Sequence, residues 1–442
     1  MAFAVVCCMA SRYKALTMKL KLSKAMRRLP RIRREFRYAD VKKATRSFHE
    51  SMRLGSGGFG AVYKGAMIAT CDGDDGRQRL RYVEVAVKKF TRKEDRSYDD
   101  FLAEVADINR LRHKNIVPLI GWCYENGELL LIYQYMPNGS LDQHLFRDSH
   151  GHHHYPILQW KTRYNVIKDV AAGLHYVHHD YERAVLHRNI KASNIMLDAA
   201  FRGSLGDFGL ARVVAFDKSS FTDIGVAGTW GFIAPEYAVS HKATRQTDIY
   251  AFGVLIHEVI TGKRSLGAAD STFPLLVDWV WSLHGEGRLL ETVDDEAVTD
   301  MGEFSSDDAI RLLLLGLASS DPNPLHRPSM SEVVQVIARS MPAPDVPPTK
   351  PAFVWPPEGD QLLSHDSEDE DDFVQTDHRD SDRSHWEETE RSDGLATTTD
   401  MIMSSEITKR KSRNVVETTN ISRELKMVCK RPEECFPHQT RL

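Results

Sequence analysis

The chain has 442 residues, 58 Lys and Arg against 62 Asp and Glu, and a formal net charge of −4. Its 42% hydrophobic content is enough to build a sizeable core, so a simple disordered adaptor fits no more than part of it. The small net charge hides a segregation: the first 34 residues carry ten Lys or Arg and no acid, whereas 364–390 is dominated by Asp and Glu. Six cysteines (Cys7, Cys8, Cys71, Cys123, Cys429, Cys435) form no CxxC pair and are too sparse for a disulfide scaffold, which favours a reducing compartment.

Residues 1–47 read as a basic N-terminal segment for which a membrane-proximal place is one reading. MAFAVVCCMA falls short of the roughly 18 apolar residues that span a bilayer. It lacks the basic start of a signal peptide, and Ala2 excludes N-myristoylation. The basic run SRYKALTMKLKLSKAMRRLPRIRR behind it fits three readings: the flank of a clipped membrane span, a tether with Cys7 or Cys8 palmitoylated, or a solvated arm.

From about residue 48 the β-rich runs AVYKGAMIA and YVEVAVKKF flank the turn-rich CDGDDGRQR, predicting antiparallel strands joined by a surface loop. DDFLAEVADINRLR then sets Phe101, Leu102, Val105, Ile108 and Leu111 on one stripe of a helix that carries Glu104. Two further strands are predicted in IVPLIGWCY and ELLLIYQY. Beyond MPNGS the pattern turns helical, through WKTRYNVIKDVAAGLHYVHH, TDIYAFGVLIHEVITG and SEVVQVIARS. The predicted fold class is α+β and bilobal: a small antiparallel β lobe with one helix over about 48–136, and a larger α-helical lobe over about 137–341. His150, His152, His153 and His154 have transition-metal chemistry but no defined tetrahedral set, and a solvated loop explains them. Residues 342–442 are proline-rich, then acidic, then polar. Such composition cannot offset chain entropy, so a disordered tail is expected.

The motifs that carry chemistry lie in order along 55–236. Gly55, Gly57, Gly60 and Val62 in LGSGGFGAVYKG would let backbone N–H groups approach phosphates. Lys88 in VAVK would pair with those phosphates, with Glu104 holding the ammonium. Asn194 and Asp207 offer hard oxygen ligands of the kind Mg²⁺ demands. Asp207-Phe208-Gly209 opens an activation segment that Ala234-Pro235-Glu236 closes.

Six motifs in this order identify residues 48–340 as resembling a eukaryotic protein kinase domain. FRYADVKKATRSF, RHKNIVPLIGWC, LLLIYQYMPNGSLDQHLF, IKASNIMLD, LGDFGLARV and DPNPLHRPSM make it most similar to the cytoplasmic half of plant L-type lectin receptor kinases. The resemblance covers about two thirds of the chain and includes no lectin domain. It implies ATP and Mg²⁺ as cofactors, with protein substrates or partner kinases as partners. A cytoplasmic site is implied, with the basic N-terminus offering contact with the cytosolic face of the plasma membrane, and no nucleic acid is expected. It further implies that Tyr133 is the gatekeeper, that the backbone of Gln134 and Met136 contacts adenine, and that Lys191 is the catalytic-loop lysine of Ser/Thr kinases. Arg188 would pair with a phosphorylated activation segment, for which Ser219, Ser220, Thr222 and Thr229 are candidates. Glu236 with Arg327, and Asp248, would be ties of the large lobe.

The departure is Asn189, where the family carries the aspartate that accepts the substrate proton. An amide still hydrogen-bonds but has no useful basicity. Two readings follow: a Mg-ATP-binding pseudokinase or very weak kinase, and a working Ser/Thr kinase that tolerates Asn189. A second departure is Trp230, a large indole in the loop that would receive substrate.

Overall fold

The computed structural model describes residues 17, 34–57, 60–72, 78–90, 111–125, 128–147, 151–152, 155–214, 218–223, 225–267, 274–298 and 304–355. Glu104, most of the His-rich loop and the acidic tail lie outside them.

The small lobe starts with β1 (Arg34–Glu35) and α1 (Tyr38–Ala44), both inside the segment read from sequence as a basic arm. Four strands then cross the sheet: β2 (Arg53–Gly57), β3 (Gly60–Asp72), β4 (Gln78–Phe90) and β5 (Leu119–Glu125). With β6 (Glu128–Gln134) they form a six-stranded sheet in the order β1-β5-β6-β4-β3-β2. The folded lobe therefore extends N-terminal of residue 48. β1 runs parallel to β5, and a Cβ on Gly121 would meet Arg34 O at 2.2 Å, so only glycine permits this approach. The β3–β4 hairpin continues into the predicted loop as far as Asp72 and Gln78. β5 begins later than the apolar run IVPLIGWCY predicts because Pro118 has no N–H to give a ladder. Its carbonyl instead accepts the Gln134 N–H at 3.0 Å.

Strand alternation explains which side chains reach the cleft. Val85, Val87, Leu130 and Ile132 pack with Val41 of α1 on one face of the sheet. Phe90, Leu129 and Leu131 join the core that continues into the large lobe, so Lys88 points with them away from α1.

The large lobe comprises α2 (Asp142–Leu145), α3 (Trp160–His175), the short pairs β7 (Val185–Leu186) with β10 (Arg212–Val213) and β8 (Ile195–Leu197) with β9 (Gly203–Leu205), and β11 (Ser220–Thr222). It continues with α4 (Pro235–Ser240), β12 (Lys242–Thr244), α5 (Arg245–Thr261), α6 (Leu276–Gly285), α7 (Ser306–Ser319) and α8 (Met330–Ile337). α5 is the hub: a Thr244/Thr247 capping box starts it, and it is buried from Thr247 to Thr261. Gly262 ends it at φ +63°, where a Cβ would strike Asp294 Oδ2 at 2.5 Å. α8 stops short of the predicted residue 340, because Arg339 turns into the left-handed region at φ +61°.

The chain divides into two units, Met1–Pro351 and Ala352–Leu442. The first unit includes ten residues that composition assigns to the tail. Val346 is buried with its carbonyl accepting from His284 Nε2 at 3.1 Å, and Lys350 Nζ pairs with Asp278 Oδ1 at 2.6 Å, so 342–351 belongs to the large lobe. In the second unit, the Phe353 and Trp355 rings stack with centroids 6.4 Å apart.

Candidate active site

One cross-strand row brings together residues that the sequence assigns to nucleotide binding. Gly55 of β2 pairs with Val62 of β3, Val62 with Lys88 of β4, and Lys88 with Leu131 of β6. Directly opposed residues share a sheet face, so the glycine strand, the Val62 wall and the ammonium line one side of the cleft. A Cβ on Gly55 or Gly57 would meet nothing within 4 Å, which leaves open space above that strand. Gly60 is different: at φ +147° its Cβ would strike Lys89 O at 2.0 Å, so this glycine serves the hairpin itself. At the end of the row Tyr133 pairs with Ala86 and Gln134 with Val85, and the chain then leaves the sheet through Met136, which is buried.

Lys88 Nζ lies 2.8 Å from Asp207 Oδ1. Asp207 stands in the left-handed region (φ +56°, ψ 69°), a turn that sends its carboxylate toward the lysine and Phe208 into the core. The Phe208 ring meets His187 edge to face at 4.6 Å. Burial pushes the Asp207 carboxyl up, but the Lys88 ammonium and its hydrogen bond, with help from Lys191, hold it below its ordinary value. The Gly206 N–H donates to Asn194 O at 2.9 Å, which ties the two predicted metal-ligand segments side by side. Asn194 spends its amide nitrogen on Asn189 O at 2.7 Å, so the amide oxygen is the atom it could offer a metal. An open glycine strand, a buried ammonium and an ionised carboxylate next to an amide oxygen fit a magnesium nucleotide. The proposed pairing of Glu104 with Lys88 lies outside the described residues.

Asp248, on α5, holds the loop of 187–189. Its carboxylate accepts the backbone N–H of His187 and of Arg188, each at 2.7 Å, and contacts His178 Nε2 at 3.0 Å. Burial lowers the His187 imidazole below its usual pKa, which favours the neutral ring. In one tautomer it donates from Nε2 to Gly206 O at 3.1 Å and accepts the Asn189 N–H on Nδ1 at 3.3 Å. Asn189 is buried, and its Oδ1 accepts the Thr229 hydroxyl at 2.9 Å. Lys191 opens the short turn Ala192–Asn194 beside it.

Arg188, expected from the resemblance to pair with a phosphorylated activation segment, already meets a carboxylate here. At φ +65° its guanidinium contacts Leu210 O at 2.9 Å, the Tyr237 hydroxyl at 3.0 Å and the Asp223 carboxylate. Motif reading does not single out Asp223 and Tyr237, the two side chains that meet Arg188 here. The available signal was that Asp223 is the lone carboxylate between Lys218 and Thr229. Glu236 and Arg327 form the expected bidentate tie, at 2.7 and 2.8 Å. Trp230 is 41% exposed beside this site. Among the described residues no cluster of three or more His, Cys, Asp or Glu forms a separate metal site.

Two lobes, a lysine facing an aspartate across the cleft, and a catalytic-type loop hung on a buried helix define a protein kinase domain. The family model for protein tyrosine and serine/threonine kinases matches residues 48–337, and the chain belongs to that family. Over this region it is similar to plant receptor kinases. It is 41% identical over 329 residues to a probable L-type lectin-domain containing receptor kinase S.5 of Arabidopsis thaliana, covering 73% of this chain and 47% of that protein. It is 42% identical over 316 residues to the L-type lectin-domain containing receptor kinase IV.2 of the same plant, covering 71% and 44%. The chain thus spans about half the length of these relatives. Among the described residues no helix is long and apolar enough to cross a membrane.

Proposed function

We propose that this chain is a Mg-ATP-binding signalling protein of the serine/threonine kinase type whose own phosphoryl transfer is weak or absent. One observation carries the reading: Asn189 accepts the Thr229 hydroxyl on Oδ1. A carboxylate has two oxygens, so one can accept from the threonine while the other takes the substrate proton. An amide has a single oxygen, already engaged here, and its other end donates. In neither orientation is the group basic.

Bound Mg-ATP would supply the transferable phosphoryl group and the cation that offsets its charge. For the chain itself, Lys88 would hold phosphate oxygens and Gly55 and Gly57 would let the backbone close on them. Asp207 and Asn194 would present their oxygens to the ion, and Lys191 would steady a Ser or Thr hydroxyl. The remaining step, removal of the hydroxyl proton, has no base. General-base assistance contributes about 10²- to 10⁴-fold, or about 3 to 5 kcal/mol of barrier. Positioning and charge survive, which leaves room for residual transfer.

A second reading, an active kinase tolerating Asn189, draws on the inward Asp207 and the buried Phe208, an arrangement compatible with catalysis. Partner kinases suit the first reading and protein substrates the second. A cytosolic location at the plasma membrane, through the basic N-terminus, accords with the receptor-type relatives.

The test is phosphate transfer from Mg-ATP to the chain itself and to a generic Ser/Thr protein. Wild type is expected at the Lys88→Met background, with Asn189→Asp about 10²- to 10⁴-fold above it. Equal rates for wild type and Asn189→Asp would overturn the reading and establish the second.

A further inference from the structure

We infer that Asp223 supplies, from within the activation segment, the negative charge that Arg188 needs, so that this segment is ordered without being phosphorylated. The inference rests on the reading of the domain as a nucleotide-binding kinase fold whose activation segment shapes the cleft. It does not depend on whether Asn189 permits transfer.

The Arg188 guanidinium is engaged at both of its terminal nitrogens. The Arg188 side chain is 1% exposed and that of Asp223 13%, and the two form an ion pair. The Tyr237 hydroxyl closes the triangle: it donates to Asp223 Oδ2 and accepts from Arg188 Nη2 at 3.0 Å. It also accepts the Ala227 N–H at 3.0 Å, which carries the order on toward Thr229 and Asn189. On the other side the Asp223 N–H donates to His241 O at 2.9 Å, continuing the β11–β12 ladder in which Ser220, Phe221 and Thr222 pair with Thr244, Ala243 and Lys242. The Phe221 ring lies 5.4 Å from the Arg188 guanidinium. A buried guanidinium demands a paired anion, and without Asp223 this one would lose its carboxylate.

The neighbouring hydroxyls are badly placed for the same task. Side chains alternate along a strand, so Thr222 is directed oppositely to Asp223 and is exposed. Ser219 is exposed as well. A phosphate on either would meet a guanidinium already neutralised by a carboxylate, and would add like charge near it.

The experiment uses the full chain, treated with phosphatase and shown by mass spectrometry to carry no phosphate on 218–229. Backbone hydrogen exchange is followed with no nucleotide present, in wild type, Asp223→Asn and Thr222→Ala. Phosphate-free wild type should keep the protection of untreated protein over 219–229, and Thr222→Ala should match it. Asp223→Asn should exchange there on the order of tenfold faster while the α5 amides stay protected. Loosening of wild type by phosphatase alone, or unchanged exchange in Asp223→Asn, overturns the inference. Should Asp223→Asn fail to fold, seen as loss of α5 protection, the phosphatase arm still decides. ATP-dependent stabilisation of the same samples reports separately on nucleotide binding, so a failure of that reading is distinguishable.

Discussion

The Thr229 hydroxyl and the Asn189 amide oxygen meet at 2.9 Å, joining the segment that would present substrate to the loop that would deprotonate it. The threonine is therefore a positioning residue whose value depends on what occupies position 189. In the Asn189→Asp background, adding Thr229→Val should lower transfer about tenfold, as loss of one hydrogen bond to a charged group implies. In the otherwise unaltered chain the same change should leave transfer at background. Retained full activity in Asn189→Asp/Thr229→Val, measured by initial rates, would remove Thr229 from the account.

The Lys88–Asp207 pair predicts how nucleotide and metal divide the cleft. If, as proposed, Lys88 serves phosphates and Asp207 the cation, ATP with Mg²⁺ should stabilise the domain more than ATP with EDTA. At a ligand concentration about 100-fold above Kd the gain is about 2.7 kcal/mol, or about 5 °C for a domain of this size. Asp207→Asn should abolish the Mg²⁺-dependent increment, and Lys88→Met most of the ATP shift. Thermal melts that respond to ATP identically with and without Mg²⁺ would rule out this division.

Much of this site is legible in the sequence because strand and loop motifs fix side-chain direction. Gly55, Val62 and Lys88 stand at spacings that bring them into one cross-strand row, and 207–209 must turn for Asp207 and Phe208 to point opposite ways. What was not legible depends on long-range pairing. Asp223, Tyr237 and Arg188 come from three separate stretches, and no local pattern announces that a carboxylate in a hydroxyl-rich segment will meet a guanidinium 35 residues away. The outer limits of the domain escaped for a related reason. Residues 34–47 are basic and 342–351 proline-rich, so composition assigns both to solvent. Phe36 N–H nevertheless donates to Trp122 O at 2.9 Å, and Val41 is fully buried. Two or three well-placed contacts outweigh a polar average.

Arg327 and Glu236 are a buried pair joined through both terminal guanidinium nitrogens, at 2.7 and 2.8 Å. Arg327 also donates from Nε to Asp321 O at 2.7 Å and from Nη1 to Gln246 O at 2.9 Å. Either Glu236→Gln or Arg327→Met strands the other partner, and each should cost about 3 to 5 kcal/mol in urea unfolding. The double variant should cost less than the sum, because no lone buried charge remains. Strict additivity would show that the two residues act independently.

Glu258 gives the fold a pH dependence of identifiable sign. It is 3% exposed on α5, and burial pushes its carboxyl up to about 7, against the Ser265 N–H and Arg264, which favour the anion, and with Asp142, which disfavours it. Because the folded value is raised, the fold prefers the protonated acid. Its contribution is complete below the unfolded value of 4.5 and is lost as pH rises through about 7. Glu258→Gln keeps an oxygen for the Ser265 N–H, 2.7 Å away in the wild type, but cannot ionise. The variant should match wild type near pH 5 and exceed it at pH 8 by up to about 3 kcal/mol, at roughly 1.4 kcal/mol per unit. His257 next to it acts in the opposite direction: burial lowers its imidazole to about 3, so its contribution is lost as pH falls below 6.5. Comparing wild type with Glu258→Gln at each pH cancels that background. A stability difference that stays flat from pH 5 to 8 would show that Glu258 is ionised throughout the range.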